Sequence, residues 1–265
     1  MRLSHVILVL ILSLGVWSCG EDGVLLFSVD DDIMMGKEFD QQIESDPEFN
    51  ILPESQYPEA YSYLYSMRDA ILNSGQVKYV DEFAWEMHII DDPQTLNAFA
   101  TPGGYIYIYT GLINYLDDAS SLAGVMGHEI AHSDERHSSK QLQKNVGVSV
   151  VLGILLGDDL QAIQNLTANL LALSFSRSDE TDADNQSVEY LCETDFLADG
   201  AAFFFEKIEA EGGSTPPEFL STHPSPDRRV ENIREMADMR SCGTEIEDPT
   251  IENMSYAQFK ALLPR

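Results

Sequence analysis

The segment His128-Glu129-Ile130-Ala131-His132 sets two imidazoles and a carboxylate at helical spacing. Residues four apart on a helix lie about 40° apart around its axis, so both rings can reach one metal ion while Glu129 flanks the position left open. That set suits hydrolysis of a peptide bond by a zinc-activated water, with Glu129 taking the proton and later returning it to the leaving amine. The preceding residues, Asp117 to Gly127, are mostly small and begin with an acidic and hydroxyl cluster suited to a helix N-terminus, so the pentapeptide is predicted helical. The alternative is a surface helix that carries two histidines and an acid without function.

Catalytic zinc takes three protein ligands and keeps one position for water. A metzincin would carry glycine at 135 and histidine at 138, but Glu135 and Ser138 stand there, which excludes that branch. His137 lies nine residues after His128, about half a turn round a continuous helix, and is expected to face away from the metal and to cap or pack. A gluzincin would take its third ligand from a later helix. In Phe175 to Asp184, Glu180 and Asp184 share a face at spacing four. Glu180 could then bind the metal while Asp184 accepts the free ring N–H of a ligand histidine. The alternative there is a solvated acidic face.

The elements that must position these groups are mostly helical. Helices are predicted over Ile33 to Ile43, Glu59 to Leu72, the metal-binding segment, Leu160 to Phe175, the Glu180 segment, Gly200 to Glu211 and Pro226 to Met239. Trp85 to Ile90 and Tyr105 to Tyr109, bounded by Asp91-Asp92-Pro93 and Pro102-Gly103-Gly104, read as strands of a small antiparallel sheet beside the metal helix. The class is therefore α+β, mostly α. Val146 to Leu156 is apolar but too short to cross a bilayer and is expected to be a buried helix.

The chain opens with Met1 to His5, weakly basic, and an apolar run from Val6 to Trp17, the pattern of a signal peptide. Val16-Trp17-Ser18-Cys19-Gly20 resembles a bacterial lipobox, so residues 1–18 are expected to be removed and Cys19 acylated, the multiple chains giving a firm membrane anchor. Residues 19–32 would be a tether and 33–265 one domain, since neither repeats nor a long low-complexity linker divides them. A formal charge of −30 excludes a nucleic-acid role through repulsion from phosphate. Cys192 and Cys242 are either bridged, as an oxidising envelope allows, or reduced and buried.

Asn97 to Tyr107 with Thr110-Gly111-Leu112, the His-Glu-x-x-His segment, Glu180-x-x-Ala183-Asp184, and Thr222-His223-Pro224-Ser225-Pro226 with Arg229 together resemble the HtpX and BepA type of zinc metalloendopeptidase, the group that includes the Ste-type CAAX prenyl proteases. Four separated motifs in order, over about residues 30 to 240, carry the resemblance. It implies a gluzincin-like domain with one zinc per chain on His128, His132 and Glu180, Glu129 as general base and Asp184 behind a ligand. Where the family commonly has Glu before the Ala-Asp pair, this chain has Asp182. The resemblance brings His223 to the metal, as oxyanion donor or gate, and pairs Arg229 with an acid near the site. It places a free sheet edge at Asn97, Ala98, Phe99 and Ala100, which could pair with an extended polypeptide substrate. The implied task is envelope protein quality control or maturation on unfolded or misassembled polypeptide; a binding or assembly module with a gated or structural zinc site is the alternative.

Overall fold

A computed structural model describes residues 24–157, 159–211, 217–243 and 249–264. Residues 1–18, expected to be a leader, and Cys19 lie outside the described residues. Helix α1 (Val29–Ser45) starts where Ser28 and Asp31 cap each other's backbone, and so takes in residues expected to be tether. Helix α2 (Pro58–Leu72) follows. Strands β1 (Glu86–Ile90), β2 (Ala98–Thr101) and β3 (Tyr105–Tyr109) form the sheet.

Its order is β1-β3-β2, with β2 antiparallel and β1 parallel to β3. The expected all-antiparallel pairing is thus mixed. A tight turn through Gly103 and Gly104, both at positive φ, folds β2 back along β3. β1 lies on the far side of β3 from β2 and runs in the same direction as β3. β2 is left as a sheet edge.

After α3 (Thr110–Tyr115), helix α4 (Ala119–Asp134) begins at Asp118, whose carboxylate accepts the Ser121 N–H at 2.7 Å. All sixteen of its residues are buried. It is the central strut, packed on β2, on α8 (Arg177–Leu191) and on α9 (Gly200–Glu211). Close approach on two sides needs missing side chains: a Cβ on Gly124 would fall 2.0 Å from the Ala201 nitrogen, and one on Gly127 would meet Ser187 Oγ at 2.7 Å. Gly124 thus admits α9, and Gly127 lets α8 bring its acids within ligand distance of the α4 histidines.

α5 (His137–Asn145), α6 (Val148–Leu155) and α7 (Leu160–Leu171) form a side layer against α1. Of α6, expected to be buried, only Val151 and Leu155 are; Val150 and the adjoining Leu156 are exposed, because this short helix meets its neighbours along one face. Among the described residues no helix is long and apolar enough to cross a membrane. α10 (Phe219–Thr222) and α11 (Arg229–Arg240) close the far side of the site, and α12 (Tyr256–Lys260) packs near α2. A disulfide joins Cys192 to Cys242, tying the end of α8 to the end of α11.

Candidate metal centre

Three elements converge on one point: α4 supplies His128, Glu129 and His132, α8 supplies Glu180, and His223 ends α10. Ligand atoms of His128, His132, Glu180 and His223 lie within 4.8 Å of one another. The Nε2 atoms of His128 and His132 are 3.0 Å apart, and Glu180 Oε1 stands 3.3 Å from His132 Nε2. His223 Nδ1 is 3.0 Å from Glu180 Oε1 and 3.3 Å from His128 Nε2. All four, and Glu129, are at most 1% exposed. Nitrogen and carboxylate donors turned inward on one another, buried from water, suit a tetrahedral zinc site.

The electrostatics fit a cation. Burial raises the Glu129 carboxyl, and among the described residues neither of its oxygens has a hydrogen-bond partner; the ring nitrogen His223 Nε2 is 3.6 Å from Oε1. Glu180 is also buried, yet the fields of His223 and His128 hold its carboxyl well below the ordinary range. Desolvation pushes His132 down, which keeps its ring nitrogen free to ligate. His128 is pulled up to about 9 because Glu180 and Asp184 outweigh the opposing effect of burial.

Behind His128, Asp184 Oδ1 stands 2.9 Å from Nδ1, the far side of the ring from the cluster. Arg229, first residue of α11, donates to Asp184 in a fork, Nε to Oδ2 at 2.8 Å and Nη2 to Oδ1 at 2.7 Å. The same Nη2 reaches Glu180 Oε2 at 2.9 Å, and the guanidinium lies 3.7 Å over the Phe205 ring. One buried arginine thus orients two acids from α8.

Behind His132 the partner is a histidine. His137 Nδ1 is 3.0 Å from His132 Nδ1, and its Nε2 faces Asp182 Oδ2 at 3.4 Å and Asp179 Oδ1 at 3.8 Å. His137 was expected to face away. The helix stops at Asp134, Arg136 takes a left-handed φ of 60°, and α5 restarts at His137, which turns the ring back under the site. A 100°-per-residue count holds only along an unbroken helix. Phe175 stacks on His132 at 3.9 Å and Phe219 on His223 at 4.3 Å. Neither aromatic was singled out by sequence, since a lone phenylalanine carries no spacing signal.

The segment Asn97 to Ala100 lies at the sheet edge. Asn97, Ala98 and Ala100 are buried and Phe99 is half-buried. Phe219 N–H donates to Leu96 C=O at 3.1 Å, so the short helix bearing His223 is latched to the start of β2. The second cluster with metal-ligand spacing, Asp40, Glu44 and His88, sits on the other face of the sheet and was not expected.

The chain resembles proteins of known kind. Mitochondrial metalloendopeptidase OMA1 of Schizosaccharomyces pombe is 32% identical over 164 residues, 60% of this chain and 48% of that protein. OMA1 of Arabidopsis thaliana is 31% identical over 152 residues, covering 57% and 31%. The beta-barrel assembly-enhancing protease of Escherichia coli strain K12 is 32% identical over 157 residues, covering 54% and 32%. The chain thus spans between about a third and a half of the length of these relatives. The model of peptidase family M48 matches residues 58–237, which include β1 to β3, α4, α8 and the His223 segment. This chain belongs to peptidase family M48.

Proposed function

We propose that the chain is a zinc metalloendopeptidase of the bacterial cell envelope, anchored by lipid on Cys19 and acting on unfolded or misassembled polypeptide. The observation that carries the catalytic part is the convergence of His128, His132 and Glu180 beside a buried Glu129 whose oxygens have no hydrogen-bond partner. Membership of a peptidase family supports it. When bound, the cation supplies Lewis acidity, polarising the scissile carbonyl and acidifying a water. Glu129, raised by burial, takes the water's proton and returns it to the leaving amine. Asp184 and Arg229 hold His128 and Glu180 in place, so little reorganisation is needed as charge develops.

His223 occupies the corner that a substrate carbonyl would need. With every ligand at most 1% exposed, the arrangement supports a gate that must swing aside rather than an oxyanion donor already in position. The same closure favours the second reading, an assembly module whose metal site stays shut. The envelope assignment rests on the leader and on relatives named for β-barrel assembly; the relatives named mitochondrial do not support it.

Glu129→Gln separates the readings. The substituted chain is expected to keep one zinc and lose cleavage of unfolded protein, while equal cleavage by both forms would reject the mechanism and inactivity of both would favour the assembly module. His223→Ala is expected to raise turnover, and a loss would make it an oxyanion donor.

A further inference from the structure

The geometry points to a specificity subsite for a lysine or arginine side chain of the substrate, in the groove between β2, Phe49 and Glu218. This deepens, and rests on, the peptidase reading. A cavity of about 340 Å³ opens beside the sheet edge, floored by Phe99 and Tyr109 and rimmed by Glu48, Asp91, Asp92 and Glu218. A second hollow of about 630 Å³ shares Glu48, Phe49 and Glu218 and extends the groove past Asp46. Neither is lined by a lysine or arginine.

In a chain of charge −30 an acidic rim alone means little. The distinguishing residue is Asn97, which lines the cavity, is only 7% exposed, and carries an Oδ1 with no hydrogen-bond partner among the described residues. A buried acceptor without a donor is costly, and an ammonium or guanidinium entering the cavity would satisfy it. Asp92 on the rim stays charged. The Thr95 hydroxyl and the Gln94 amide hold Asp92 below the ordinary carboxyl range, while burial, with the fields of Asp92 and Glu218, pushes the Tyr109 hydroxyl up to about 12.

Position makes this a subsite of the catalytic centre rather than a remote pocket. Glu218 and Thr222 line the cavity, and His223 follows Thr222 directly. In antiparallel pairing the residues of β2 alternate between the two sheet faces. Ala98 and Ala100 pack into the core that holds α4, while Asn97 and Phe99 face the groove. An extended peptide added along that edge would send alternate side chains to the groove face while its backbone passes the metal.

Binding to the zinc-loaded Glu129→Gln chain tests this without cleavage. Fluorescent extended peptides that differ by one lysine, norleucine or glutamate, scanned along the peptide, are compared by anisotropy. At the position that enters the groove, lysine is expected to bind about tenfold more tightly than norleucine, and Glu48→Gln with Glu218→Gln to reduce that preference to about threefold or less, as exposed charge pairs allow. A matched pair away from the groove, Glu59→Gln with Glu82→Gln, is expected to leave the preference unchanged, which separates the subsite from the chain's overall charge. Equal binding of lysine and norleucine at every position, or equal loss in both double variants, would overturn the proposal. Lysine-selective binding with no cleavage of any peptide by the unsubstituted chain would support the groove and reject the peptidase reading.

Discussion

The segment from Glu218 to His223 is a wall with two sides, and charge is handled differently on each. Inside, Glu180 and Asp184 share Arg229, and each α4 histidine has a partner behind it. Outside, Glu48, Asp91, Asp92 and Glu218 ring a cavity with no cation among them. Burial explains the contrast. A charge withdrawn from water must be matched at hydrogen-bond distance, whereas exposed carboxylates are screened by solvent and can wait for a cation brought by a ligand. Inner geometry therefore gathers donors at one point; outer geometry defines only a field.

The largest effect should follow from breaking the inner set. His132→Ala is expected to abolish stoichiometric zinc, read by metal analysis, and to erase the rise in Tm that added zinc gives the unsubstituted chain. Arg229→Leu should destabilise the fold by about 3–5 kcal/mol in denaturant unfolding, because it leaves two acids unmatched in the interior. If the loss were below about 1 kcal/mol, the inner wall would not depend on charge matching. Reducing the Cys192–Cys242 bridge, which holds α8 and α11 together behind the site, should cost about 2–4 kcal/mol by the same measurement.

His137 sharpens the contrast between the two ligand histidines. His137→Leu should weaken zinc about 10- to 100-fold, while His137→Asn, which keeps an acceptor near the ring's Nδ1 position, should restore most of it. Equal affinity in all three chains would make the contact one of packing alone. The smallest effect is expected outside: Glu218→Gln should alter stability by no more than about 0.5 kcal/mol, since the residue is exposed and its carboxylate accepts only from the Ser221 hydroxyl at 3.3 Å.

Helical spacing made His128, Glu129 and His132 legible, and the four-residue interval made Glu180 and Asp184 a candidate pair. The helical majority could be read from periodicity, and the edge position of Asn97 to Ala100 from the resemblance. His137 was misplaced because nothing in Asp134-Glu135-Arg136 signals a left-handed residue that breaks the helix. The parallel pairing of β1 was missed because strand patterns carry no direction. The groove was invisible for another reason: its acids come from residues 48, 91, 92 and 218, with no spacing in common.

The sequence by itself determined which groups can coordinate and which stretches bury a face, since both follow from side-chain type and local period. Only the tertiary structure decided that Arg229 serves two acids of one helix, that His223 joins His128, His132 and Glu180 at one point, and that Asn97 faces a cavity without a donor. Those facts depend on how glycine-lined helices approach and where the chain turns back, and through-space distance is not encoded at any fixed interval along the chain.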